Sequence, residues 1–149
     1  MSESEILTSR FGAVEIETLD VICFPEGMLG LEDCLHWVLL ADAQNEDLGW
    51  LQSTSRAEIA LAVVSPRRFV PDYQVRVARN ELAPLGLEPA NDALVLVIVG
   101  NSERSVTLNL KAPLIINRVR RTGRQVVANG DQPLQHELFL DQSARKRIA

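Results

Sequence analysis

From Ala13 to Val127 the chain is a succession of short runs of β-forming residues, each closed by a turn signal. Ala13–Glu17 alternates apolar and polar positions, Leu19–Phe24 is a second run, and Leu35–Ala41 is a longer apolar one. Ile59–Val64 is nearly all apolar, which predicts a strand buried on both faces. Gln74–Val77 alternates again, with its polar positions facing water. Six consecutive aliphatics, Leu94–Val99, lead into the turn signal Gly100-Asn101-Ser102 and then Val106-Thr107-Leu108. Thr122-Gly123 reads as a hairpin turn within Arg118–Val127, and Asn129-Gly130-Asp131 as another turn. One helical signal interrupts this pattern: Asn80 can cap a short turn through Glu81-Leu82-Ala83, with Pro84 near its end. Short strands recurring at roughly 8–12 residue spacing predict an antiparallel barrel or sandwich. A barrel also removes the exposed edges of such a chain. The expectation is a mostly β, single-domain antiparallel β-barrel-like fold with one short helix, in which residues 1–9 and 141–149 are frayed tails.

The 149 residues suit one domain with one core. No apolar run approaches the ~20 residues of a membrane span, and the acidic start Met1-Ser2-Glu3-Ser4-Glu5 is unlike a signal peptide. These features predict a cytoplasmic protein. Cys23 and Cys34 have no histidine or third cysteine at ligand spacing and read as buried thiols. Charge is unevenly placed. Residues 1–58 carry twelve acids against Arg10 and Arg56, a net of −10, and residues 59–149 carry thirteen bases against eight acids, a net of +5. Either this is only chain order, which folding interleaves, or it makes an acidic face that repels nucleic acid and steers basic partners.

The catalytic inventory is thin. His36 lies in an apolar run and reads as a structural histidine, and His136 reads as half exposed. Ser53 and Ser55 lack the Gly-x-Ser-x-Gly setting of a nucleophile elbow. The paired acids Glu32-Asp33 and Glu46-Asp47 lie beside turns and read as solvated loops, not metal ligands. No glycine-rich loop opens a helix, so phosphate cradling has no basis. Single-stranded nucleic-acid binding needs aromatics interleaved with positive charge. The chain has only four Phe, two Trp and one Tyr, none of them inside Arg118-Val119-Arg120-Arg121, and its net charge is −5. Neither a catalytic, a metal nor a cofactor site is predicted, and direct nucleic-acid or membrane partners are not expected.

Recognition through a surface remains. Phe69, Pro71 and Tyr73 form an apolar-aromatic cluster on a proline-broken loop, most simply a loop packed on the barrel end. Asn109 and Asn117 sit among β-formers, where asparagine is a poor choice. Pro113 breaks the same run, and proline in a strand belongs at an edge, a first position or a bulge. The two amides either close a bulge or turn internally or meet a partner; the sequence supports both. Gly27 and Gly30 read as conformational, and Trp37 and Trp50 as core.

The stretch from Val106 to Asn117 (Val-Thr-Leu-Asn-Leu-Lys-Ala-Pro-Leu-Ile-Ile-Asn), followed by Gly123-Arg124-Gln125-Val126, resembles the FliW family of flagellar assembly factors. That family has Val-Asn-Leu-x-Ala-Pro-Ile-x-Ile-Asn and then Gly-x-Gln-Val. Phe24-Pro25-Glu26-Gly27-Met28-Leu29-Gly30-Leu31 is similar to its Phe-Pro-x-Gly-x-Pro-Gly-Phe loop. Leu51-Gln52-Ser53 is similar to its Leu-Gln-Ser, and Pro66 with Phe69-Val70-Pro71-Asp72-Tyr73 to its Pro-x-x-Phe-x-Pro-Asp-Tyr. Leu29 stands where the family has proline, Leu31 where it has phenylalanine, and Gly49-Trp50 where it has Pro-Phe. A less rigid 24–31 loop is the expected consequence. The resemblance implies a non-enzymatic cytoplasmic regulator, expected to be monomeric, with two partners that exclude each other. One is flagellin, held by its C-terminal helical region; the other is the translational regulator CsrA, antagonised allosterically. Candidate contact positions are Phe69, Tyr73, Asn109, Lys111, Pro113 and Asn117. The rival expectation is a small barrel module for single-stranded nucleic acid or a small ligand.

Overall fold

A computed structural model describes residues 3–87, 93–101 and 105–138. Its strands are β1 (Glu3–Thr8), β2 (Gly12–Glu17), β3 (Val21–Cys23), β4 (His36–Ala41), β5 (Leu48–Ser53), β6 (Ala60–Val64), β7 (Ala93–Asn101), β8 (Val106–Leu108), β9 (Leu114–Asn117), β10 (Thr122–Gln125) and β11 (His136–Leu138). The helix α1 spans Arg79–Leu82 and runs into a 3-10 turn at Ala83–Leu85. Strands β7-β6-β5-β4-β3-β10-β9 pair in that order, and β9 pairs back to β7, which closes a seven-stranded barrel. β8 and β11 extend the sheet beyond β7, and β1–β2 form a separate hairpin. The mostly β barrel with one short helix is thus as the sequence predicts. One seam departs from antiparallel order: β10 meets β3 in parallel, through Thr122↔Cys23.

The apolar runs are long because both faces of the wall are covered. Inside the barrel, Ile22, Phe24, Trp37, Leu51, Val63, Leu114 and Ile116 form the main core. Outside it, Val38 lies under Ile6 and Ile16 of the hairpin. Ile115 and Val126 lie under Leu85 and the segment containing Val75, Val77 and Leu82. Leu48, Val64 and Val97 pack with Tyr73, Val106, Leu108 and Leu138 beneath the β8–β11 extension. Two adjacent side chains of β4 therefore enter two different cores: Trp37 is 0% and Val38 1% exposed, while Leu39 further along is 37% exposed. Ile59–Val64 likewise has no exposed residue.

The structure departs from the sequence pattern in several places. Residues 1–9 are not simply a frayed tail: Glu3–Thr8 pair along their whole length with β2, because Ile6 finds a buried place against Val38. Residues 141–149 lie outside the described residues. The β9–β10 turn is Arg118–Arg121, not Thr122-Gly123, and Gly123 is within β10 opposite Ile116. A Cβ on Gly123 would stand 2.5 Å from the buried Phe24 ring, so the glycine answers a close approach and not a turn. Trp50 is only partly buried: its outer-wall indole holds the hairpin tip, with Arg10 4.1 Å over its ring and Phe11 edge-on. His36 is exposed at the first position of β4, and Cys23, unlike Cys34, is only partly buried. Gln74–Val77 alternates in exposure as expected but forms no strand. The helix begins one residue before Asn80, with Ala78 in the cap position.

Candidate functional site

The three irregular residues, Asn109, Pro113 and Asn117, mark one construction. β8 and β9 both run antiparallel to the same edge of β7, with Val99↔Leu108 and Leu96↔Leu114 as the flanking pairs. Between them Val97 and Ile98 stand opposite Asn109, Leu110, Lys111, Ala112 and Pro113, so the chain must bulge. A bulge takes backbone groups off the ladder, and buried ones need other partners. They have them. Asn109 N–H still reaches the Ile98 carbonyl at 3.0 Å, and the Asn109 Oδ1 accepts the Ala112 N–H at 3.0 Å. The Leu110 carbonyl accepts the Tyr73 hydroxyl at 2.8 Å, while the Leu110 and Lys111 N–H groups share the Pro133 carbonyl. The carbonyls of Lys111, Ala112 and Pro113 accept from Ala128 N–H, Gln125 Nε2 and Val126 N–H. Lys111 Nζ donates to the Ala128 and Gly130 carbonyls, both at 2.8 Å, fixing the segment after β10.

Asn117 does the same at the other end of β9. Its side chain is 2% exposed. The amide Nδ2 donates to the Leu85 carbonyl at 2.9 Å, and Oδ1 accepts the Val119 and Arg120 N–H groups at 3.0 and 3.1 Å. One side chain thus sets the β9–β10 turn and clamps it to the 3-10 turn after α1. Arg124 and Gln125 complete the framework. Arg124 Nε pairs with Glu26 at 2.9 Å, and its Nη1 donates to the Glu81 carbonyl at 2.8 Å. Gln125 Oε1 accepts the Leu29 N–H at 2.9 Å. That last bond requires an N–H at position 29, which proline lacks. Leucine there gives the loop a tether that the family's proline cannot make, while its side chain is 76% exposed. Gly27 holds the same loop with φ +70, and a Cβ there would meet the Glu32 backbone at 2.6 Å.

Of the predicted contact residues, the structure gathers Phe69, Tyr73, Asn109, Lys111 and Pro113 around the bulge and places Asn117 at the far end of β9. Tyr73, Pro113 and Asn117 are buried, so in this structure their side chains serve the interior; Phe69, Asn109 and Lys111 are partly exposed. Burial pushes the Tyr73 phenol above its ordinary 10.0. Leu51-Gln52-Ser53 has an internal role as well. Gln52 Nε2 donates to the Ser53 carbonyl at 2.9 Å and reaches those of Arg56 and Ala57, and Ser53 Oγ accepts the Ser55 and Arg56 N–H groups. Arg124, Gln125 and Gln52 are framework residues that local sequence pattern does not mark, although all three lie inside the family motifs. Trp50 Nε1 donates to Asp42 at 3.0 Å, and this bond is the main cause holding the Asp42 carboxyl below its ordinary 3.8.

The charge asymmetry becomes spatial. β3, β4 and β5 are neighbours and the hairpin lies on β4, so the acid-rich first third of the chain occupies one arc of the barrel. Glu5, Glu15, Glu17, Asp20, Glu32, Asp33, Glu46 and Glu58 are exposed there. Among the described residues no His, Cys, Asp and Glu group could hold a metal ion, and no helix is long and apolar enough to cross a membrane.

Fold and site together define a small closed β-barrel whose irregular polar residues brace loops at its surface. The FliW protein family model matches residues 5–138, and the chain belongs to the FliW family. It is 34% identical to the flagellar assembly factor FliW of Natranaerobius thermophilus, over 97% of this chain and 99% of that protein. It is 39% identical to the FliW of Bdellovibrio bacteriovorus, over 82% of this chain and 71% of that protein. A crystal structure of the flagellar assembly factor FliW superposes with a TM-score of 0.84 at 28% identity, covering 93% of this chain and 99% of that one.

Proposed function

We propose that this protein is a non-enzymatic regulator of flagellin supply. It holds flagellin in the cytoplasm through flagellin's C-terminal helical region. When free of flagellin, it binds CsrA and allosterically antagonises it, relieving repression of flagellin mRNA translation. The reading rests on family membership across residues 5–138, whose relatives are flagellar assembly factors. The acidic arc supports the second branch: a negative body beside an RNA site raises the cost of phosphate approach, a term on which RNA binding depends strongly. The test is calorimetric titration with the same organism's flagellin, full-length and truncated at its C-terminus, followed by competition with CsrA. One-to-one binding lost on truncation, and CsrA displaced by flagellin, is the expected result. Equal binding of the truncated flagellin refutes the first branch, and simultaneous binding of both partners refutes their mutual exclusion.

A further inference from the structure

The β9–β10 turn is held more firmly than a hairpin needs. Its residues Arg118, Val119 and Arg120 are all exposed, Val119 at 71%. The buried Asn117 amide fixes the N–H groups of Val119 and Arg120. Arg121 closes the turn in the left-handed region at φ 56, uncommon for a residue with a Cβ. It is kept there by Arg121 N–H to the Asn117 carbonyl, by Cys23 N–H to its own carbonyl, and by its Nη2 to the Asp20 carbonyl. Backbone strain held by surrounding structure points to a role for the segment it shapes.

What the turn presents is an apolar side chain between two cations. Among the described residues Arg118 has no ion-pair partner, although five ion pairs occur elsewhere. Arg118 also walls a shallow groove beside the turn. Leu94 and Val95 of β7 line it together with Val75, and Pro66 and Arg67 line it on the 3-10 turn that follows β6. β6 reaches β7 through Val63↔Ile98 and Val64↔Val97, leaving Ala93–Val95 beside this groove. No acidic residue is among the described residues lining it.

We propose that the Arg118-Val119-Arg120 turn and this groove are a docking surface for an acidic, extended segment of a partner protein, with an apolar side chain set against Val119. A turn already fixed in shape loses little conformational freedom on binding. Charge complementarity selects an acidic occupant. A polypeptide is favoured over single-stranded nucleic acid because the only aromatic among the described residues lining the groove, Tyr73, is 3% exposed with its hydroxyl committed to Leu110, so it offers no stacking face. The proposal rests on the turn and groove themselves and not on the flagellin and CsrA reading.

The experiment titrates the full-length protein with a fluorescein-labelled peptide of alternating Asp-Glu and Leu, read by anisotropy and by amide NMR shifts. The expected result is shifts clustered at residues 93–95 and 118–120. Affinity should fall about tenfold or more in Arg118→Glu plus Arg120→Glu, and about threefold in Val119→Ser, with both variants melting like the parent. Absence of binding, shifts confined to other surfaces, or Val119→Ser binding like the parent would each overturn the proposal. Tighter binding of a uridine oligonucleotide at the same residues would overturn it in favour of nucleic acid.

Discussion

Replacing Asn117 with alanine separates an internal bracket from a partner contact. The substitution removes the donor to Leu85 O and the acceptor for two turn N–H groups. Leu85 is 2% exposed, so its carbonyl is left without a partner, at about 1–3 kcal/mol. Val119 and Arg120 are exposed, water replaces the lost acceptor, and each of those bonds is worth about 0.5 kcal/mol. The sum is about 2–4 kcal/mol. For a domain of this length about 2–4 °C accompanies each kcal/mol, so the melting temperature should fall by roughly 4–16 °C. Urea titration followed by tryptophan fluorescence gives the same quantity independently, since the Trp37 indole is fully buried and Trp50 partly so. Asn117→Asp is a useful partner variant: it keeps an acceptor for the turn but loses the donor and turns a carboxylate toward the Leu85 carbonyl. It should be no more stable than the alanine variant. A loss below about 1 kcal/mol for Asn117→Ala, with unchanged melting but weakened flagellin or CsrA binding, would refute the bracket and make Asn117 a contact residue.

Gly123→Ala should destabilise by about 1–3 kcal/mol, because the new methyl meets the enclosed Phe24 ring, and denaturant unfolding decides it. Tyr73→Phe should cost about 1–2 kcal/mol by orphaning the Leu110 carbonyl, checked by calorimetric melting. The Tyr73 phenol has its folded pKa raised by burial, so its contribution is whole below 10.0 and is lost as pH rises through the folded value. The alkaline fall in stability, taken relative to each protein's neutral value, should be smaller in Tyr73→Phe, and an unchanged alkaline limb would count against this. Asp42 has a folded pKa below 3.8, so its support is present above that value and disappears as pH falls through the folded one. Asp42→Asn should flatten the acid-side change in Trp50 fluorescence, and an acid limb identical to the parent's would reject the Asp42–Trp50 bond as its source.

The β class, the short helix and the irregularity of residues 109–117 are written in the sequence because they follow from local chemistry. Runs of Val, Ile and Leu at strand length prefer extended backbone, and proline and asparagine cannot sit in a ladder without another arrangement for their neighbours. The family motifs carried the same information, since Gln52, Asn109, Asn117, Arg124 and Gln125 all lie in them. What the sequence could not assign was the use of those residues. Whether an asparagine amide faces a partner or a carbonyl depends on what lies opposite, and Leu85 is thirty-two positions from Asn117.

The turn between β9 and β10 shows the division clearly. Thr122-Gly123 has the local signature of a hairpin turn, yet Gly123 was required in the strand by the Phe24 ring ninety-nine positions away in the chain. The turn was then set at Arg118–Arg121 by a buried amide. His36, Trp50 and the first strand were misplaced for a related reason: periodicity tells which residues share a face, not whether that face is covered. In this barrel coverage comes from the hairpin, from α1 and from the β8–β11 extension, each folded over the wall from a distant part of the chain. The sequence by itself determined strand content and where the backbone must depart from it. Only the tertiary structure decided which apolar face met another layer and which polar group met its partner, because both depend on contacts between segments that local preference does not encode.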